Sequence, residues 1–313
     1  MALLCAALVL AITSLSAFIR LSRAGLGCEP WPQCYGQSLR AASDALEQPV
    51  ARGVAVARLA HRVVAVAALV VIVMMVMTAL FSAPILWREG RLALALLGLA
   101  VFLAVLGRWT ADARVPAVML GNLLAGFAMF ALACRLVLVS SRRPPVRAVA
   151  RAWVVLATLV LVAQLALGGL ASAGHAGISC PELARCDFSA GSWQLLNPWH
   201  ASHFDAADPG NAAGALLAFL HRAASLLVVI VLLPLGIVAW RRGRRAGIVM
   251  VLLLGVQMAL GALLVLAALP LPLALAHNLV AALLLWALVA LNGSPPAADQ
   301  EQASGSPVAS GAG

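Results

Sequence analysis

The sequence has 313 residues, of which 64% are hydrophobic and only 10% are charged. Soluble domains carry about 25% charged residues, so this composition excludes an ordinary soluble protein, a disordered chain and a coiled coil. The formal net charge of +10 comes from arginines that lie mainly in short loops, which is typical of transmembrane topology. A nucleic-acid surface would instead mix basic with polar and aromatic residues, so we expect no nucleic-acid partner.

Apolar runs separated by breakers predict an all-α membrane protein with eight transmembrane helices, because about 20 apolar residues cross a bilayer. The predicted helices are residues 1–19, 54–81, 91–107, 115–139, 151–172, 213–240, 246–266 and 272–291. Arginines are denser in the loops on the side of the N-terminus, which predicts that both termini lie in the cytoplasm. The last segment, 292–313, is rich in Gly, Ser, Pro and Ala and is predicted to be a disordered cytoplasmic tail.

Two halves of the chain repeat the same order of features. A pair of cysteines separated by five residues is followed by a His-Arg pair inside an apolar helix, and four helices separate the two occurrences. The pattern predicts two parallel four-helix bundles, an N-terminal half (1–140) and a C-terminal half (151–291). The repeated features are Cys28 and Cys34 with His61-Arg62, and Cys180 and Cys186 with His221-Arg222.

Four cysteines lie in the outer loops, which are the loops predicted on the side of the membrane opposite the N-terminus. These cysteines have two interpretations. Four cysteines allow three disulfide connectivities, and the local pairs Cys28–Cys34 and Cys180–Cys186 are the simplest. A zinc site is the alternative, although zinc modules usually have tighter ligand spacing. An outer loop that faces an oxidising compartment favours disulfides.

Three histidines, His61, His221 and His277, lie inside apolar helices. Ionisable residues in a membrane are expensive and indicate a functional site. His221 and His277 lie at similar predicted depths on two parallel helices, so their imidazoles can approach one haem iron from opposite faces. In the first half the position that matches His277 is Asn122, a poor iron ligand. Three alternatives therefore stay open for this half: a five-coordinate haem site at His61, an open site, or no haem site at all. One closed and one open site would suit an enzyme with a resident cofactor and an exchangeable substrate.

Arginines next to the histidines have two roles open to them. Arg62 and Arg222 directly follow candidate ligands and are predicted to bind carboxylates such as haem propionates. The alternative is that they extend towards the membrane interface. His175, His200 and His203 share the second outer loop, where we expect a solvated loop rather than a metal site.

Several segments together resemble the heme A synthase family over nearly the whole chain. Residues 20–37 read RLSRAGLGCEPWPQCYGQ and are similar to the first-loop signature of that family. Residues 164–169 (QLALGG), 257–262 (QMALGA) and 275–278 (LAHN) also resemble family segments.

The resemblance implies an oxidoreductase that converts the C8 methyl of heme O to the formyl group of heme A for cytochrome oxidase. It implies that His221 and His277 hold a resident haem b, and that His61 faces the substrate haem as the catalytic residue. It further implies a bacterial inner membrane location and heme O synthase and oxidase assembly factors as partners, and it is compatible with a homo-oligomer. The sequence departs from the family at Asn122, usually histidine, and at Arg58, usually a carboxylate.

These departures keep a second interpretation open, in which the protein binds haem b for assembly or electron transfer without synthase activity. A transporter built from two four-helix halves is a more distant alternative, because transporter sites lie near the membrane midplane. The candidate ligands here are displaced towards the outer side.

Overall fold

The structure is a computed structural model, and it describes residues 1–26, 35, 48–110, 115–141, 149–180, 182–183, 186, 188, 191–200 and 211–291. Within these residues the protein contains eight long α-helices and no strand. The helices are α1 (Ala2–Arg23), α2 (Gln48–Leu80), α3 (Trp87–Thr110), α4 (Pro116–Ser140), α5 (Arg151–Ala173), α6 (Ala215–Arg241), α7 (Arg245–Leu266) and α8 (Leu271–Leu291). Three short 3-10 turns lie at Ala176–Ile178, Gln194–Leu196 and Ala212–Gly214.

All eight helices are long and apolar enough to span a membrane, which confirms the prediction of an all-α chain with eight transmembrane helices. Their ends lie within four residues of the predicted ends, except that α2 begins at Gln48 rather than at residue 54. Polar residues such as Arg52 occupy the first turns of α2, so a search for apolar runs begins the helix too late. The tail predicted for 292–313 lies outside the described residues.

Helix packing follows the chain order in both halves. Each helix packs against the next, and α1 also packs against α4. The halves meet where α4 contacts α5 and α8, and where α1 contacts α8. The division into two halves and their parallel repeat stay predictions, because these contacts alone do not establish an internal symmetry.

One end of the bundle, here called the core end, is densely packed. The largest buried cluster takes residues from all eight helices. Its fully buried members lie near the N-terminus of the chain and near the α2–α3 and α6–α7 connections, so they share one end of the bundle. They include Val9, Ile72, Leu96, Val154, Leu232, Met250 and Leu288. The opposite end, here called the loop end, bears the connections that follow α1 and α5.

At the loop end, hydrogen bonds tie the end of α5 to the start of α6. Asn211 adopts a left-handed conformation, and its side-chain amide donates to the carbonyl oxygens of Gly174 and His175 at 2.8 and 3.2 Å. The Ser179 hydroxyl donates to the carbonyl oxygen of Asn211 at 2.7 Å. These buried contacts satisfy polar groups that would otherwise be costly and fix the position at which α6 enters the bundle.

The connection between α6 and α7 is a tight turn that is tied to α8. Gly243 has a φ of +80°, a conformation that glycine adopts without steric cost. Arg244 is buried, and its Nη2 donates to the carbonyl oxygen of Ala290 at 2.9 Å. The turn therefore fixes α6, α7 and α8 relative to one another.

Candidate functional site

His221 and His277 occupy equivalent positions in their helices. Each is the seventh residue, of α6 and of α8 respectively. At 1.5 Å per residue, both lie about 9 Å along the helix from the loop end. Their helices both pack against α7. The similar depth that the sequence indicated is therefore present, on two helices that share a neighbour in the second half.

The neighbouring helices α5 and α7 present a matching pair of residues to these histidines. Gln164 and Gln257 each lie nine residues before the end of their helix, and Gly168 and Gly261 each lie five residues before it. A Cβ added to Gly168 would lie 2.8 Å from Cε1 of His221. A Cβ added to Gly261 would lie 3.5 Å from Cε1 of His277. Gly168 therefore leaves room that the imidazole of His221 occupies, whereas a methyl group at position 261 would make an ordinary contact with His277.

The glutamines hold the two histidines differently. The Nε2 atom of Gln164 donates to the backbone carbonyl oxygen of His221 at 3.0 Å. The Nε2 atom of Gln257 lies 3.1 Å from the ring Nε2 of His277. The first contact holds the backbone of α6, and the second restricts the rotation of the ring itself.

Four buried polar atoms around the two histidines have no hydrogen-bond partner among the described residues: Nδ1 of His221 and of His277, and Oε1 of Gln164 and of Gln257. Unsatisfied buried polar groups are uncommon and require an explanation. Imidazole nitrogen is a good iron ligand, and two such rings at one depth suit a six-coordinate haem iron. The residues present therefore fit a haem in this half.

The first half contains a cavity of about 1440 Å³ that extends to the loop end. Helices α1, α2, α3 and α4 enclose it, and α8 closes one side. Ligand pockets usually measure about 300–1,000 Å³, so this cavity has room for a macrocycle. His61 and Asn122 both line it, and Asn122 is the seventh residue of α4, as His277 is of α8.

Four arginines line this cavity, and the sequence pattern favours a carboxylate-binding role for none of them. Arg20 and Arg23 from the last turn of α1, Arg58 from α2 and Arg108 from α3 line it. Arg62, which the sequence favoured, is exposed and is not among the lining residues. The spacing of Arg58 and His61 was the available signal, because residues three apart share one helix face.

Arg222 contacts the loop that follows α5. Its Nη2 donates to the carbonyl oxygen of Cys180 at 2.7 Å, and its Nη1 donates to that of Glu182 at 2.5 Å. Cys180 and Cys186 form a disulfide in this loop, which confirms the predicted second pair and excludes zinc there. The contact of Arg222 with a propionate stays a prediction. Cys28 and Cys34 lie outside the described residues.

The second outer loop differs from expectation at His175. We expected a solvated loop, but His175 is only 4% exposed and lines the cavity. Its ring packs edge-on against Tyr35, with ring centroids 5.2 Å apart. Burial raises the pKa of the Tyr35 hydroxyl, more than the nearby Arg20 charge lowers it. Tyr35 is therefore a neutral phenol beside His175. His200 lies in the described part of this loop, whereas His203 does not.

Comparison with known proteins places this arrangement in a family. Residues 1–289 match the family described as cytochrome oxidase assembly protein, COX15-CtaA. A heme A synthase from Shewanella oneidensis is 30% identical over 312 aligned residues, which cover 90% of this chain and 92% of that protein. The match includes all eight helices and both candidate sites. The chain belongs to the COX15-CtaA family of cytochrome oxidase assembly proteins.

Proposed function

We propose that the protein is a heme A synthase, a membrane oxidoreductase that oxidises the C8 methyl of heme O to the formyl group of heme A. Membership of the family and the relative of that name support the activity. The observation that carries the proposal is the cavity of about 1440 Å³ with His61 in its wall. A cavity of that size, with mainly apolar walls, suits an exchangeable macrocyclic substrate.

The second half would hold a resident haem b. His221 and His277 would hold it, Gly168 leaves room for the ring of His221, and Gln257 limits the rotation of the ring of His277. A haem held there supplies one-electron redox chemistry close to the substrate site. The Nδ1 atoms of both rings are buried, and neutral imidazole is the form that ligates iron.

The first half would bind the substrate. His61 would face the heme O iron, and Asn122 would lie at the position that a second imidazole occupies in the other half. Because an amide is a weak iron ligand, substrate and product would exchange more readily here than in the second half. We further propose a bacterial inner membrane location with both termini in the cytoplasm, and contact with heme O synthase and oxidase assembly factors.

The test is heme A production in a bacterial host that has heme O synthase but no heme A synthase of its own. Haems extracted from membranes and separated by chromatography with mass detection should include heme A or hydroxylated heme O. The His61→Ala variant should reduce either product strongly, whereas His200→Ala, a histidine outside the cavity lining, should not. If the wild-type chain accumulates and binds haem but yields only heme O, the protein acts in assembly or electron transfer and the proposed activity is wrong.

A further inference from the structure

The cavity of the first half is positively charged at one end. Its lining residues, as far as the structure describes them, include four arginines and two histidines but no aspartate or glutamate. The arginines come from three helices and all lie towards the loop end. The group of Arg20, Arg58 and Arg108 is called here the arginine mouth.

The described contacts of Arg20 position its charge without neutralising it. Its Nη2 donates to Oδ1 of Asn278 on α8 in a long hydrogen bond of 3.4 Å. The nearby hydroxyl of Tyr35 stays neutral because burial raises its pKa. Several like charges that line one partly apolar cleft repel one another, and a carboxylate bound among them relieves that repulsion. The arginine mouth is therefore built for an anionic group of the cavity's occupant.

The rest of the cavity restricts what that occupant is. Below the arginine mouth the walls are mainly Ala, Val, Leu, Ile, Met and Phe. His61 lies three residues from Arg58 on the same face of α2, so an iron ligand and a cation face the same space. A ligand that matches has a broad apolar body and carboxylates along one edge. A porphyrin with two propionates has this chemistry.

We infer that the arginine mouth binds the two propionates of the substrate porphyrin and fixes which edge of the ring faces the loop end. This inference rests on the proposed function and deepens it. In heme O the methyl group that is oxidised lies on a pyrrole ring that also carries a propionate. Holding the propionates therefore restricts that methyl group to two positions, which are related by a flip of the ring about the axis between the propionates. Guanidinium groups suit this role because they bind carboxylates through paired hydrogen bonds. Asn278 acts as a positioning residue for Arg20.

The first test needs no variant. Metal-free protoporphyrin IX and its dimethyl ester have the same ring, and neither has an iron that a histidine could ligate. Fluorescence titration of the purified protein should give binding of the diacid that is roughly ten- to a hundredfold tighter than binding of the diester, after correction for micelle partitioning. Equal affinity for the two forms would overturn the inference.

Variants test whether the preference for the diacid over the diester comes from the arginine mouth. Arg20→Gln and Arg58→Gln should each lower the acid-over-ester ratio by about tenfold. Arg20→Lys should retain part of it, since lysine keeps the charge but loses the planar fork. Arg91→Gln is the matched control, because Arg91 is exposed at the core end of α3. A full preference in the Arg20→Gln, Arg58→Gln double variant would overturn the inference.

Turnover separates the two proposals. If heme A is made and the preference for the diacid is absent, the inference about the arginine mouth is wrong and the proposed function is supported. If no heme A is made but the preference for the diacid is present and depends on Arg20 and Arg58, the proposed function is wrong and the inference about the arginine mouth is supported.

Discussion

The packing of His221 against Gly168 allows a graded test of the second-half site. In the Gly168→Ala variant the new methyl carbon would lie 2.8 Å from Cε1 of His221, 3.4 Å from Nδ1 and 3.5 Å from Nε2. Carbon atoms pack best at about 3.5–4.0 Å, so the ring must retreat by about 0.7–1.2 Å. A ligand site tolerates displacements of about 0.5 Å, so the variant exceeds this tolerance.

The energetic cost follows from two opposing effects. Overpacking of this kind costs about 1–3 kcal/mol, whereas alanine in a helix gains about 0.5–1 kcal/mol over glycine. We therefore expect haem affinity to fall by roughly 5- to 150-fold, which corresponds to the overpacking cost applied to the ring. The overall melting temperature should change little, because the helix gain offsets part of the strain.

The assay is a reduced-minus-oxidised absorption spectrum, normalised to protein, with thermal unfolding recorded on the same samples. Gly261→Ala provides an intermediate case, because its methyl would lie 3.5 Å from Cε1 of His277, an ordinary contact. Gly255→Ala is the control, because nothing lies within 4 Å of its methyl. The expected loss of haem is largest for Gly168→Ala, small for Gly261→Ala and absent for Gly255→Ala. Equal haem content in all three variants would refute the reasoning.

Two further variants test other contacts. Arg222→Ala removes the hydrogen bonds to the carbonyl oxygens of Cys180 and Glu182, and since Arg222 is half-buried we expect a loss near the lower end of about 1.5–3 kcal/mol. Faster proteolysis of the loop and a lower melting temperature would support this, and wild-type values for both would contradict it. Asn122→His places an imidazole opposite His61 in the cavity, and we expect more haem to be retained per protein, with a changed absorption spectrum. Asn122→Ala is its control, and a histidine variant that matches the alanine variant would show that the two positions do not share a ligand.

The sequence predicts where each helix lies along the chain better than it predicts which side of the helix faces a site. Apolar runs of this length determine where each helix lies, and depth along a helix follows from counting, which is why His221 and His277 were matched correctly. Rotation about the helix axis is harder to predict, because these helices are apolar nearly all round and lack a polar stripe. The preference for Arg62 over Arg58 reflects this, since adjacency to His61 was weighed above the spacing of three residues.

The loop end was the least predictable part. His175 belongs to a long segment whose sequence looks solvated, and its burial depends on Tyr35, which lies 140 residues earlier in the chain. Arg20 and Arg108 counted as orienting charges in the sequence, yet both line the cavity. Such roles depend on contacts between segments that are distant in sequence, which residue types and spacing do not encode.

Adjacent residues of α8 belong to different centres. His277 meets Gln257 in the second half, whereas Asn278, the next residue, accepts a hydrogen bond from Arg20 beside the cavity of the first half. Any turn of this helix about its axis would disturb both centres at once. If the chain arose by duplication, its halves have since lost their independence, so neither could be exchanged as a self-sufficient module without rebuilding the other.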